Sequence, residues 1–356
     1  MTVQIYKPDI DIRQKLKELD RPTGQGGQTL LMSESIRDAQ NALGIKGKNL
    51  LINSSFEVNQ RDADVTNGVT ISGTNDYHTV DRWNEYNNSS VTRKVTVRYD
   101  EQLPNGKKAN VYRSEHISGT ANWLHPVQKV TLERWMLGQT FTMSCWVKTN
   151  IPNFKMRYCD TQHCFLVGGS IPNDGYWHYM TATITFPTEG LTLGGVVQFQ
   201  PAFGSATITN GDYIEFAQFQ VEVGEQATPY EYIPYHEELL RCQRYYYKIK
   251  QTPTLDFAAM GLVLGSGSGG TFVMPLQTPV PMRSPSDASI SIQNLRLTYQ
   301  FSGSSITVNS ITLGYFTNQV YTLLVNTSGT ATSGDVYLIG DNGTGNGYLA
   351  IDNEFT

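Results

Sequence analysis

Apolar and polar residues take turns through most of this chain, and a period of two belongs to strands, not helices. The alternation runs through VTRKVTVRY (91–99), TFTMSCWVKTN (140–150), WHYMTATITFP (177–187) and TNGDYIEFAQFQVEV (209–223). Asn-Gly, Ser-Gly and Thr-Gly pairs punctuate the strand text of residues 249–356, the turn chemistry that antiparallel hairpins require. With 32 glycines, 20 tyrosines and only 17% charged residues, the composition is poor in helix formers and rich in strand and turn formers. The expectation is an all-β protein: a jelly-roll β-sandwich, then a second β-rich domain, with short N-terminal helices and a short linker helix.

The 356 residues divide by pattern into four stretches. Residues 1–48 carry two short helical patterns. Ile12, Leu16 and Leu19 share one face, and Met32, Ile36, Ala39 and Leu43 form another seam with Gly44 as its stop. Helices this short are marginal alone, so this arm needs a surface to dock on, its own β-domain or copies of itself. Residues 49–234 read as the sandwich. Residues 235–248 read as a linker helix: Pro229 and Pro234 end sheet pairing, Glu237 and Glu238 suit a first turn, and Arg241 and Arg244 suit a last turn. That proline-bounded helix is expected to act as a hinge. Residues 249–356 read as a C-terminal β-sandwich, with strand text at 287–301, 305–316, 319–328 and 348–355. No fixed-period repeat points to a solenoid.

Several function classes lose support at once. A net charge of −5 and a pI of about 5.7 offer no basic field for nucleic acid. No apolar run reaches membrane-spanning length, and the first twenty residues lack the apolar core of a signal peptide, so synthesis in a host cytoplasm is expected. Four cysteines in such a chain make no disulfide framework, and reduced thiols are the simplest expectation.

Catalytic signatures are sparse. GSGSG at 265–269 has the letters of a nucleophile elbow without the following helix. CDTQHC puts Cys159, His163 and Cys164 close together, but the adjacency of the last two suits a loop better than one tetrahedral metal centre. Asp81, Asp160, Asp212 and Glu215 could supply an acid pair for glycoside cleavage, yet no spacing selects two of them. DNGTGNG (341–347) could ligate calcium but is explained equally well by turns. The expectation is no catalytic residue, no metal and no cofactor. Among the tryptophans, Trp83, Trp146 and Trp177 sit in strand text and are expected in the core. Trp123 and Trp135 lie nearer turns and are the candidates for stacking on a sugar or a neighbouring subunit.

Two longer stretches carry a resemblance. FAQFQVEVGEQATPYEYIPYHEELLRCQRYYY (216–247) resembles a segment that recurs in bacteriophage tail-fibre and related virion proteins. There a carbohydrate-binding-module-like jelly roll ends in a Gly-x-x-Ala-Thr-Pro-Tyr-Glu-Tyr stretch, followed by a Cys-Gln-Arg-Tyr helix. The matching residues here are Gly224, Pro229, Tyr230, Glu231, Tyr232, Cys242, Gln243, Arg244 and Tyr245. Upstream, Asn49, Asn53, Phe56, Asn59, Gln60 and Arg61 match the family's opening, and Asp81, Arg82 and Trp83 match its Asp-Arg-Trp word, with Val80 in place of the usual alanine. The terminal AIDNEF (350–355) is similar to the end of the β-domain that commonly follows. Residues 1–48 match no pattern of the family.

The resemblance implies a non-enzymatic virion structural protein, usually homotrimeric and involved in host attachment; the accompanying expectation is that residues 1–48 fix it to other virion proteins and that its β-domains meet host surface glycans. Tail location is favoured over head. A head fibre or capsid-decorating protein is the alternative, and a polysaccharide-degrading tailspike the alternative of another class. The motif residues themselves read as structural.

Overall fold

A computed structural model describes residues 48–355, apart from 73–74, 88–90, 120–123, 204–206, 251–259, 264–266, 269–270, 300–302 and 332–334. The chain divides into two compact units, Met1–Lys48 and Asn49–Thr356. The expected N-terminal helices lie outside the described residues.

The first half of the larger unit is a β-sandwich of two six-stranded sheets. Sheet 1 contains β1 (Val69–Ser72), β4 (Thr92–Gln102), β5 (Lys108–Ser118), β12 (Tyr213–Val223), β7 (Thr140–Thr149) and β10 (His178–Thr185), side by side in that order. Sheet 2 runs β2 (Asn75–Asp76), β3 (Asn84–Asn87), β6 (Leu124–Thr131), β11 (Val196–Phe203), β8 (Phe154–Cys159) and β9 (Cys164–Ile171). All the pairings are antiparallel, and consecutive strands cross repeatedly between the sheets.

The period-two pattern sorts side chains to faces. Val95 and Val97, Met143 and Cys145, Phe216 and Phe219, Val197 and Phe199 all turn into one buried core. Phe56, Trp83, Tyr112 and Phe216 pack there with ring centroids 5.2–6.2 Å apart. The core also holds an ion pair. Arg93 of sheet 1 meets Glu85 of sheet 2 at 2.8 Å, and Glu85 accepts from the Tyr112 hydroxyl and Ser114 Oγ. Charges so deeply buried persist only when paired and hydrogen-bonded, and this pair joins the two sheets.

The second half departs from the expected C-terminal sandwich. Strands β14 (Met260–Val263), β16 (Thr271–Gln277), β20 (Val320–Thr327), β19 (Ser305–Phe316), β18 (Leu295–Tyr299) and β22 (Val336–Asp341) close into a barrel. The closure is made by β14, which pairs with both β16 and β22. Alternation looks the same in an open sheet and a closed one, so the sequence pattern does not reveal it. Beside the barrel lies a three-stranded sheet of β13 (Tyr246–Lys250), β23 (Tyr348–Asp352) and β17 (Ser289–Gln293). A two-stranded ribbon pairs β15 (Gly267–Ser268) with β21 (Thr330–Ala331).

Helix α1 (Tyr235–Gln243) occupies the expected place, with Glu237 and Glu238 in its first turn and Arg241 in its last. It is docked on the sandwich, so the expected hinge is a fixed junction. Glu238 accepts the Asn53 amide at 2.6 Å, and Arg241 donates to the carbonyls of Asn49 and Leu51. Residues of the resemblance meet at this junction. Arg82, fully buried and at φ +72°, pairs with Glu354, donates to the Lys129 carbonyl and lies 3.5 Å from the Tyr245 ring centroid. Arg61 sits 3.7 Å from the Tyr246 ring centroid and 3.0 Å from Asp352. Asp81 accepts from the Gln60 amide and side chain, and Gln60 donates onward to the Tyr246 carbonyl. Tyr230, Glu231 and Tyr232 bond to Ser54, Asn49 and Lys108, while Gly224 at φ +118° sends its amide to Thr140. Trp83 donates to the Asn53 carbonyl. Cys242 is buried, and the Tyr245 amide donates to its carbonyl.

Candidate functional site

Sheet 2 turns Phe154, Met156, Tyr158, Val197 and Phe199 into the core, so strand alternation sends the intervening residues to its outer face. On β11 these are Gln198 and Gln200, on β8 Lys155, Arg157 and Cys159, on β6 Val127 and Lys129, and on β3 Asn84 and Tyr86. Register places them in rows. Asn84 lies opposite Val127, Gln200 opposite Arg157, and Arg157 opposite Leu166. Continuing the β6–β11 register by one step sets Gln200 beside Val127. One row therefore crosses five strands: Asn84, Val127, Gln200, Arg157, Leu166. In the next row Gln198 faces Lys129 on one side and Cys159 on the other.

The amides of this face differ from the other buried amides of the sandwich. Asn49 holds the Leu51 and Val221 amides and the Phe219 carbonyl. Asn53 ties Val58 to Asp81, Gln128 binds both backbone groups of Ile52, and Gln220 accepts from Glu231. Asn84 is equally buried, yet neither its Oδ1 nor its Nδ2 has a hydrogen-bond partner among the described residues. Gln200, 1% exposed, donates to Gln198 Oε1 at 2.9 Å but leaves its own Oε1 without a donor. Leaving such atoms unpaired costs about 1–3 kcal/mol each. A fold that satisfies its other amides so fully has a reason to leave these open.

Arg157 completes the row. Its guanidinium forms no ion pair among the described residues, and burial lowers its pKa while the neighbouring Tyr86 partly offsets that effect. Amide donors and acceptors, a guanidinium fork and a phenol ring on one sheet face can grip paired hydroxyls and lie along the apolar face of a ring. They provide no acid–base pair. Lys129 bounds the row by donating to the Phe355 carbonyl, so the C-terminal tail closes one end of the face. Burial lowers the Lys129 pKa to about 8.

The residues singled out in the sequence are placed elsewhere. Trp123 lies outside the described residues. Trp135 is 46% exposed on a turn of 3₁₀ helix (Arg134–Met136), where its Nε1 donates to Glu133 and its ring packs 6.0 Å from Phe141. Trp83 is in the core. Trp146 and Trp177 are not; they are half-buried on the outside of sheet 1 against Leu103, Ala109, Val111 and Ala217. The candidate acids are dispersed. Asp81 is buried at the junction, Asp160 caps a hairpin loop, and Asp212 accepts from Thr209. Glu215 sits between Arg98 and Arg113, whose hydrogen bonds outweigh burial and hold its carboxyl below the usual range.

Asp341 of DNGTGNG accepts the amides of Gly343, Gly345 and Gly347, which pull its pKa down to about 2 although burial acts the other way. A carboxylate that gathers its own turn in this way reads as structural. The expectation of reduced thiols fails at one pair: Cys159 and Cys164 are disulfide-bonded, because the β8–β9 register sets them opposite each other. Cys145 and Cys242 are free and buried. Nothing in the sequence marked Asn84 or Gln200, since amides in strand text look alike whether or not the fold supplies a partner.

No family model matches the chain, and no curated protein sequence does either. Solved structures similar to it include a Stig cyclase from Fischerella sp. TAU in complex with an indole compound. That match has 12% identity and TM-score 0.32, and it covers 51% of this chain and 99% of the cyclase. The CBM22-1 xylan-binding domain of Paenibacillus barcinonensis Xyn10C matches at 13% identity and TM-score 0.29, covering 45% of this chain and 95% of the domain. The tandem CBM22-1-CBM22-2 domain of the same xylanase matches at 11% identity and TM-score 0.30, covering 81% and 97%. Likenesses this distant carry no argument about ligand or activity. No helix among the described residues is long and apolar enough to cross a membrane.

Proposed function

We propose that this chain is a non-enzymatic attachment protein that holds a glycan along the outer face of sheet 2. The observation that carries the reading is a row with Arg157 in which both polar atoms of the buried Asn84 amide and the Oε1 of the buried Gln200 have no hydrogen-bond partner among the described residues. Hydroxyl-rich ligands supply the alternating donors and acceptors those atoms lack, and neutral amides bind them without attacking them. The rest of the reading draws on the sequence resemblance: a phage virion protein, a homotrimeric fibre of the tail rather than the head, anchored by residues 1–48 and directed at host surface glycans. Three copies would multiply weak single-site contacts into avidity.

An array of bacterial surface glycans tests the site. Binding to at least one glycan is expected, with at least about tenfold loss in Asn84→Ala and in Gln200→Ala, in line with one or two lost hydrogen bonds each. Full retention in both variants removes the site. Sedimentation tests the assembly, where a clean monomer at micromolar concentration contradicts the fibre. Reducing-end release from host capsule or lipopolysaccharide would favour the tailspike reading.

A further inference from the structure

The CDTQHC loop, unused by the glycan reading, forms one wall of a cavity of about 460 Å³ at the open edge of the sandwich between β9 and β10. Its walls are mostly apolar, with Phe165, Leu166, Val167, Ile184, Pro187 and Leu191 around it. The Tyr158 and Phe165 rings are nearly parallel, 11° apart, with centroids at 6.4 Å. The charged groups are of one sign. Asp160 and Glu189 line the cavity, and no lysine or arginine does so among the described residues. His163, at the rim, stands 3.9 Å from Asp160.

The loop is set before any ligand arrives. The Cys159–Cys164 bond closes it, Asp160 Oδ1 accepts the amides of Gln162 and His163, and the Gln162 side chain donates to the Gly190 carbonyl across the cavity mouth. Two buried polar groups line the cavity. The Asp160 side chain is 3% exposed, and its Oδ1 is taken up by the loop amides. The buried Tyr158 hydroxyl faces Asp160, and burial, the Asp160 charge and a hydrogen bond to that carboxylate push its pKa up. A buried carboxylate with its phenol neighbour, under an apolar rim that no lysine or arginine lines among the described residues, suits a donor of positive charge on a body that fits the rim.

We infer that this cavity binds a small organic ammonium carried on a ring with an apolar face. The ammonium donates to Asp160 Oδ2 and Tyr158, and the ring lies against Phe165 and Leu166. An arylalkylamine and an amino sugar both present that chemistry, and probes of each kind separate the two sources. The site meets the amide row only at Leu166 and does not rest on the glycan reading.

The experiment is calorimetric titration of the full-length protein with phenethylamine, against neutral 2-phenylethanol and anionic 3-phenylpropionate. A parallel arm uses methyl β-D-glucosaminide against methyl β-D-glucoside. At least one ammonium should bind about tenfold or more tighter than its neutral analogue, and the arm that does so names the source. In Asp160→Asn, which keeps the Oδ1 acceptor for the loop amides, that preference should vanish while the neutral analogue binds as before. Ammonium probes that bind no tighter than neutral ones overturn the inference on the unaltered protein alone, whatever the variant's folding. Undiminished preference in Asp160→Asn overturns it equally.

Discussion

Two buried polar regions flank the same sheet, and they are built on opposite terms. At the junction between sandwich and barrel, Arg61, Asp81, Arg82, Asp352 and Glu354 converge over the Tyr245 and Tyr246 rings. Of the atoms there without a formal hydrogen bond, Arg61 Nη1 is 3.5 Å from Asp81 and Glu354 Oε1 is 4.0 Å from Arg61, while Arg82 Nε and the Tyr77 hydroxyl have no hydrogen-bond partner among the described residues. On the outer face of sheet 2, Asn84 and Gln200 are as deeply buried but face no such counterpart. Buried polarity is thus no guide to function by itself. Satisfied, it joins parts of the chain; unsatisfied on the face of a sheet, it leaves donors and acceptors that a ligand could meet.

The strongest way to break this comparison is at the junction. Arg82→Ala leaves Glu354 buried without its partner and should cost about 3–5 kcal/mol in chemical denaturation, with the barrel and sandwich then unfolding in separate steps. A loss under about 1 kcal/mol would mean the junction is not held by this pair. Next in size is the hairpin disulfide. Removing the Cys159–Cys164 link by a double Cys→Ser change should cost about 2 kcal/mol, the chain-entropy value for so short a loop, read as a lower thermal midpoint. Smaller again is the effect on stability at the amide row. Gln200→Leu replaces a half-satisfied amide by an apolar group of similar size, trading the bond to Gln198 for relief of the unpaired Oε1, so denaturation should show stability within about 1 kcal/mol of the unaltered chain.

Acid sharpens the contrast further, because two carboxylates respond in opposite directions. Asp81 has its pKa raised to about 6, burial outweighing the attraction of Arg61. With a folded value above the ordinary carboxylate value of 3.8, its contribution to stability is complete below pH 3.8 and is lost as pH rises through about 6. Asp341 is the reverse. Its pKa is lowered to about 2, so its contribution is present above pH 3.8 and is lost as pH falls through about 2. Stability measured from pH 7 down to 2 should therefore lose its low-pH dependence in the barrel when Asp341→Asn is made, and lose its dependence between pH 4 and 6 when Asp81→Asn is made. Identical profiles in both variants would contradict the assignment.

Much of the fold is legible in the sequence because it rests on local signals. Period-two runs place β4, β7, β10 and β12, and the prolines at 229 and 234 with the acidic and basic turns place α1. What escapes is decided by distant residues. Arg82 and Glu354 are 272 positions apart, and nothing near either one announces the other. The proline-bounded helix has the local grammar of a hinge; only the contacts of Glu238 and Arg241 fix it in place. Barrel closure depends on β14 finding a second neighbour, which alternation does not encode. The disulfide escapes for another reason: the redox argument drew on the number of cysteines in the chain, whereas the bond follows from hairpin register. The amide row is least legible of all, since Asn84 and Gln200 differ from Asn53 and Gln128 only in what surrounds them.

That difference is also what one titration addresses. A glycan chosen from the array should bind the unaltered protein and give no measurable heat with the Asn84→Ala, Gln200→Leu double variant, while the two proteins unfold at the same denaturant midpoint. Equal binding by both would show that the open amides of sheet 2 hold no ligand.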